Sequence, residues 1–171
     1  PIEYQNQIFD KIFDEGEDLS LKPFGIRAMD SMRIEKSYRM PGRELSIEYS
    51  ALESGLDRFV SENKGEFLGR NGLAEWKSRG FSYCFVTLEV QNIDDADALG
   101  NNPIYHNNKL VGRATSGGYG FRIQKSLVLA MINPDFNKSK IKLEIDILGK
   151  RYPALLIEES PFDKHNERLR S

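Results

Sequence analysis

Apolar side chains recur at helical spacing near the start of the chain, at Tyr4, Ile8, Phe9, Ile12 and Phe13, and Gly16 follows as a stop signal. That spacing predicts a helix over residues 4–13. Pro23 stands where a proline opens a helix, so a second helix is predicted from Phe24 to Met32. A rotation of about 100° per residue gathers Ala28, Met29 and Met32 on one side, read as the core face, with Arg27, Asp30 and Ser31 opposite. From Arg33 the chain alternates as a strand would, with Arg33 and Glu35 flanking Ile34 as a cross-face ion pair. Pro41-Gly42 marks a turn, with Arg39 and Arg43 exposed on either side. Residues 50–60 are mixed and lead to a turn at Asn63-Lys64-Gly65. Leu68, Leu73 and Trp76 predict a third helix ended by Gly80, weakened by about 1 kcal/mol at each of Gly69 and Gly72.

After Gly80 the period changes from helical to alternating. Phe81 to Val90 reads as a strand buried on both faces. An acidic loop follows, then a hairpin of Pro103–His106 and Lys109–Ser116 about the turn Asn107-Asn108. Gly117, Gly118 and Gly120 are read as a further reversal before the apolar run from Phe121 to Ile132. Ile141, Leu143, Ile145 and Ile147 alternate on one face, and Gly149-Lys150 turns the chain into a last strand. Five or six strands with short turns are the signature of a small barrel or sandwich. The chain thus divides at about residue 80 into an α/β piece and an all-β piece.

Composition narrows the chemistry. Hydrophobic residues make up 39% and charged residues 29%, which describes a soluble globular protein. A net charge of −2 argues against a general polyanion binder, and so against nucleic acid. No apolar run reaches the roughly 20 residues of a membrane span. A single cysteine, Cys84, rules out an internal disulfide and fits a reducing, cytoplasmic compartment. His106, His165 and Cys84 are too scattered for a metal site. Asp94, Asp95 and Asp97 alternate like calcium ligands, but Leu99 takes the next position. Gly118-Tyr119-Gly120 lacks the third glycine of a dinucleotide fingerprint, since Ile123 stands there. Gln124 precedes Lys125-Ser126 where a phosphate loop needs glycine, and Ala114 spoils a nucleophile elbow at Ser116. No catalytic residue is assigned within the chain.

The stretch from Phe24 to Ser46 carries four arginines, Arg27, Arg33, Arg39 and Arg43, on this slightly acidic background. Guanidinium suits planar, bidentate recognition of carboxylates and heterocycles, although spacing alone gives these arginines no such task. The stretches GIRAMDSMRIEKSYRMPGREL, SALESGLDRFV, GEFLGRNGL and VGRATSGGYGFRIQKSLVLAMI, with LGKRYPALLIEE, resemble the C-terminal part of the glycine-cleavage T-protein (aminomethyltransferase) family. Within it they are most similar to the folate-binding half of dimethylglycine and sarcosine dehydrogenases, and the resemblance spans nearly the whole chain.

The resemblance implies an α+β fold, with a partial ferredoxin-like α/β region followed by a C-terminal antiparallel β-barrel. Residues 1–80 would be the C-terminal portion of the folate-binding region and residues 81–171 the barrel domain. It implies tetrahydrofolate bound between domains, accepting a one-carbon unit from a small N-methyl amine of the dimethylglycine or sarcosine type. Arg27 matches a folate-contacting arginine of the family. Arg58 occupies the position of a family aromatic residue near the folate, where a guanidinium can also stack on a flat ring. Arg33 and Glu35 match family positions of structural character. The family's folate-binding glutamate and catalytic aspartate, and FAD in the dehydrogenase branch, belong to upstream segments. The chain is therefore expected to be a fragment that packs against the N-terminal part of its own parent and is inactive alone. Two alternatives stand beside this expectation: a glycine-cleavage-type aminomethyltransferase, and a non-catalytic folate-binding module.

Overall fold

The computed structural model describes residues 1–171. Six strands close into an antiparallel barrel: β1 (Cys84–Val90), β2 (Pro103–His106), β3 (Lys109–Gly120), β4 (Lys125–Ile132), β5 (Leu143–Ile147) and β6 (Lys150–Ile157). Their order around the barrel is β1-β4-β3-β2-β5-β6, and β6 returns to β1 with Thr87 opposite Ile157 and Val90 opposite Ala154. Closure leaves no unpaired edge.

Alternation sorts the side chains. Val86, Leu88 and Val90 of β1, Val128, Ala130 and Ile132 of β4, and Leu143, Ile145 and Ile147 of β5 share one core cluster. The intervening Leu127 and Leu129 of β4 pack instead with Ile34, outside that cluster. β4 is buried on both faces, which explains its unbroken apolar run. The β2–β3 hairpin turns on Asn107 and Asn108 at φ 48° and 63°, the left-handed pair that asparagine tolerates.

Four helices accompany the barrel: α1 (Gln5–Glu15), α2 (Ile26–Glu35), α3 (Arg70–Arg79) and the short α4 (Glu167–Arg170). None is long and apolar enough to cross a membrane. Helices, turns and one isolated bridge between Pro41 and Leu45 make up the first 83 residues. The class is α+β with a C-terminal barrel, as the resemblance implies.

Several local expectations are corrected. α2 continues through Arg33 and Glu35, so no strand starts there. Its inward face is also the reverse of the predicted one. Ile34 and Glu35 are buried, whereas Met29 and Met32 are 41% and 49% exposed. The cause lies in the β3–β4 turn. Glu35 accepts the amides of Arg122 at 2.6 Å and Ile123 at 3.3 Å, and Ser31 Oγ donates to the Tyr119 carbonyl at 2.6 Å. Unpaired turn amides thus draw a polar helix face against the barrel. α3 begins only at Arg70, because Gly69 caps it in the left-handed region at φ 89°. Gly117, Gly118 and Gly120 lie inside β3, and the reversal falls on Phe121–Gln124.

The connection from α2 to β1 is fixed by buried charge. Glu53 accepts the amides of Ser50 at 3.0 Å, Ser82 at 3.0 Å and Tyr83 at 3.1 Å. Arg39, expected at the surface, has a side chain only 4% exposed. It donates to the carbonyls of Ser54 at 2.8 Å and Ser37 at 3.1 Å, pairs with Glu159, and stacks on Phe85 at 3.8 Å. Backbone carbonyls and one carboxylate thus replace the water this guanidinium gives up.

Candidate functional site

A polar cleft of about 470 Å³ opens where the α2-to-β1 connection meets β3. Its walls carry Asp30 of α2, Arg43, Glu48 and Tyr49 of the connection, and Asn101 and Arg113 from the barrel side. The loop before β2 forms part of the lining. That loop runs along β3, with Asn101 N donating to the Ala114 carbonyl at 2.9 Å and Ala114 N to that of Asn102 at 2.8 Å.

Arg113 is held from three directions. Its Nε and Nη2 donate to Tyr49 Oη at 3.0 and 2.6 Å, Nη2 also pairs with Glu48, and Nη1 reaches Asn101 Oδ1 at 3.4 Å. The Tyr49 oxygen accepts from the guanidinium, so its own proton is available to another acceptor. Burial pushes the Tyr49 hydroxyl above its ordinary value, against the opposing pull of Arg113. The bond from Tyr49 in turn raises Arg113. Both groups therefore hold their protons throughout the neutral range, one as a neutral donor and the other as a cation.

Arg43 lines the same cleft as Arg113. Its Nη1 donates to Ser116 Oγ at 3.3 Å and lies 3.5 Å from Asp30 Oδ2. The side chains of Arg43 and Arg113 are 43% and 41% exposed, so each keeps surface for a ligand. Two guanidinium groups and a phenolic proton are the donor set a carboxylate-bearing ligand needs. Asp30 and Glu48 balance the charge, so an incoming carboxylate competes with them for the same nitrogens. No group of three or more His, Cys, Asp or Glu side chains is placed to hold a metal. Burial raises the Cys84 thiol to about 11, which keeps it protonated and a poor nucleophile at neutral pH.

The two residues expected to bind folate lie outside this lining. Arg27 is exposed on the first turn of α2, one turn and about 4.5 Å along the axis from Asp30. Arg58 is exposed on the 3-10 turn Asp57–Phe59, its guanidinium 4.9 Å from the Phe59 ring. Sequence reasoning singled out neither Arg113 nor Tyr49, and it read Arg43 only as an exposed residue beside a turn. The available signal was Arg113 itself, a cation in the interior of β3 between the small residues Gly112 and Ala114.

Comparison with known proteins places the chain in a family. Residues 84–163 match the family model described as the glycine cleavage T-protein C-terminal barrel domain, and residues 1–64 match that of the GCVT N-terminal domain. Mitochondrial dimethylglycine dehydrogenase of Homo sapiens is 37% identical over 153 residues, covering 89% of this chain and 18% of the relative. Aminomethyltransferase of Thermoanaerobacter pseudethanolicus is 30% identical over 165 residues, covering 96% of this chain and 44% of the relative. The fold is shared with glycine cleavage system aminomethyltransferase T from Bartonella henselae, at a TM-score of 0.79 and 20% identity over 96% of this chain and 45% of that one. The chain thus spans from under a fifth to less than half the length of these relatives. With both family models matched in order along it, this chain belongs to the glycine-cleavage T-protein family.

Proposed function

We propose that these residues form the C-terminal portion of a tetrahydrofolate-dependent enzyme that moves a one-carbon unit from a small N-methyl amine, of the dimethylglycine or sarcosine type, to folate. Within it, residues 1–80 complete the folate-binding region and residues 81–171 form the barrel domain. The observation that carries this reading is the cleft between Arg43 and Arg113 in a chain of this family. Tetrahydrofolate supplies the nitrogen that accepts the one-carbon unit, and it ends in a glutamate bearing two carboxylates. Arg43 and Arg113 would bind those carboxylates, Tyr49 would donate a hydrogen bond through its free hydroxyl proton, and Arg27 would stand at the rim on α2. Arg58 is proposed as a stacking partner for a flat ring. These residues bind and orient, and none of them performs proton transfer to substrate.

The reading extends to a larger parent. The outward apolar residues Ile8, Phe9 and Ile12 of α1 and Met29 and Met32 of α2 leave two faces uncovered, which fits packing against further parts of the same protein. The share of each relative that the chain covers supports the same view. An FAD site belongs to the dehydrogenase form of the reading and is assigned to none of these residues. A cytoplasmic location is retained as part of the proposal, while the similar dehydrogenases are named as mitochondrial. Aminomethyl transfer is the second reading, favoured by the 30% identity to an aminomethyltransferase.

The test is turnover by the intact protein given tetrahydrofolate, N,N-dimethylglycine or sarcosine and an artificial electron acceptor to take the two electrons of amine oxidation, with one-carbon-loaded folate quantified by mass spectrometry. Loaded folate is expected from the intact protein and none from the isolated 171 residues. Loading only from an aminomethylated carrier would move the assignment to the second reading. Turnover by the isolated residues would contradict the assignment of catalysis to other segments.

A further inference from the structure

We infer that Glu44 and Ser116 are positioning residues that hold Arg43 in the wall of the cleft, an inference that rests on the cleft being the folate site. Glu44 is fully buried, yet it stands next to Arg43, whose side chain is 43% exposed. A buried carboxylate needs a complete set of donors. One oxygen of Glu44 accepts Ser116 Oγ at 2.6 Å, and the other accepts the Met40 amide at 2.9 Å and Arg33 Nη1 at 3.5 Å.

These contacts form part of a closed ring. Ser116 gives its only proton to Glu44, which leaves oxygen lone pairs for Arg43 Nη1 at 3.3 Å. The same Arg43 nitrogen lies 3.5 Å from Asp30 Oδ2. Asp30 Oδ1 accepts Arg33 Nε at 2.8 Å, and Arg33 Nη2 stands 2.6 Å from that oxygen without forming a hydrogen bond. Arg33 Nη1 then returns the ring to Glu44. The side chains of Glu44 and Arg33 are 0% and 9% exposed, so Arg43 is the ring's most solvent-accessible member.

Glu44 thus reaches Arg43 by two arms of the ring, through Ser116 alone on one side and through Arg33 and Asp30 on the other, and the Ser116 arm is the shorter. Without Glu44 the Ser116 proton has no fixed acceptor, and the hydroxyl can turn its proton toward the guanidinium. Without the hydroxyl, Arg43 keeps only the 3.5 Å contact to Asp30 and swings into solvent. Ligand groups that touch Arg43 lose affinity, and groups bound elsewhere do not.

The experiment is a double-mutant cycle on the intact protein, read by titration with tetrahydrofolate and with 6-methyltetrahydropterin, which has the reduced ring but no glutamate. Arg43→Ala is expected to weaken tetrahydrofolate about tenfold, and Ser116→Ala about fivefold, the scale of one ordinary hydrogen bond. Neither change should move the pterin. Adding Ser116→Ala to Arg43→Ala should cost nothing further. Glu44→Gln, which keeps the buried volume, should repeat the Ser116→Ala pattern. Losses that add, or that fall equally on both ligands, would overturn the positioning role and leave the folate reading intact. Wild-type protein that fails to bind tetrahydrofolate would overturn that reading, and the inference with it.

Discussion

Gly117→Ala is expected to destabilise the protein by about 3 kcal/mol and to open the cleft, the scale of overpacking against fixed atoms. A Cβ at residue 117 would lie 2.7 Å from the Ala98 carbonyl carbon and 2.8 Å from its Cβ, and closer still to its carbonyl oxygen. Two of these three atoms are backbone, so no rotamer relieves the contact. The loop from Ala98 to Asn102 would have to lift from β3 and give up its two backbone bonds to Ala114. Since Ala98, Leu99, Gly100 and Asn101 line the cleft, ligand binding should fall with stability. Gly72→Ala provides the contrast. It sits inside α3 with nothing within 4 Å of the added carbon, so the alanine should stabilise by about 0.5–1 kcal/mol. Urea unfolding of both variants checks the pair, and equal midpoints would refute the close-approach account.

Glu53→Ala is expected to cost about 4 kcal/mol, a large part of the 5–15 kcal/mol that holds a typical domain. Its carboxylate is buried and accepts three amides, those of Ser50, Ser82 and Tyr83, besides the Ser50 hydroxyl at 3.2 Å. Its carbonyl also takes the Phe85 amide at 2.8 Å, at the start of β1. Removing the carboxylate strands three donors where the connection joins the barrel. Glu62→Ala is the control, because Glu62 pairs with Lys77 between side chains 52% and 57% exposed. Such a surface pair contributes little, so its loss should leave the midpoint within about 0.5 kcal/mol. Thermal melts that place the two variants together would contradict the role given to Glu53.

What the sequence shows depends on how local the cause is. The barrel was legible because alternation from Ile141 to Ile147 and the asparagine pair at 107–108 are short-range signals of the structures they form. α1 was legible for the same reason, since its apolar spacing is its own. The inward face of α2 was not, because its determinant is the pair of turn amides at Arg122 and Ile123, far along the chain from Glu35. Hydrophobicity favours Met29 and Met32, and an unpaired amide outweighs them. Arg39 looks like a surface cation for a similar reason, since three of its acceptors are carbonyls that no residue letter reveals. The cleft combines residues from three segments, with Tyr49 and Arg113 separated by 64 positions. Neither spacing nor composition links them until β3 and the connection are brought together.

The central claim is that the cleft between Arg43 and Arg113 takes the carboxylate end of folate. Its most direct measurement is calorimetric titration of tetrahydrofolate into the intact protein and into its Arg113→Ala variant. The account predicts saturable binding by the wild type and affinity about tenfold weaker in the variant, the scale of one charged hydrogen-bonding group. Equal affinity in the two proteins, or no binding in either, would contradict it.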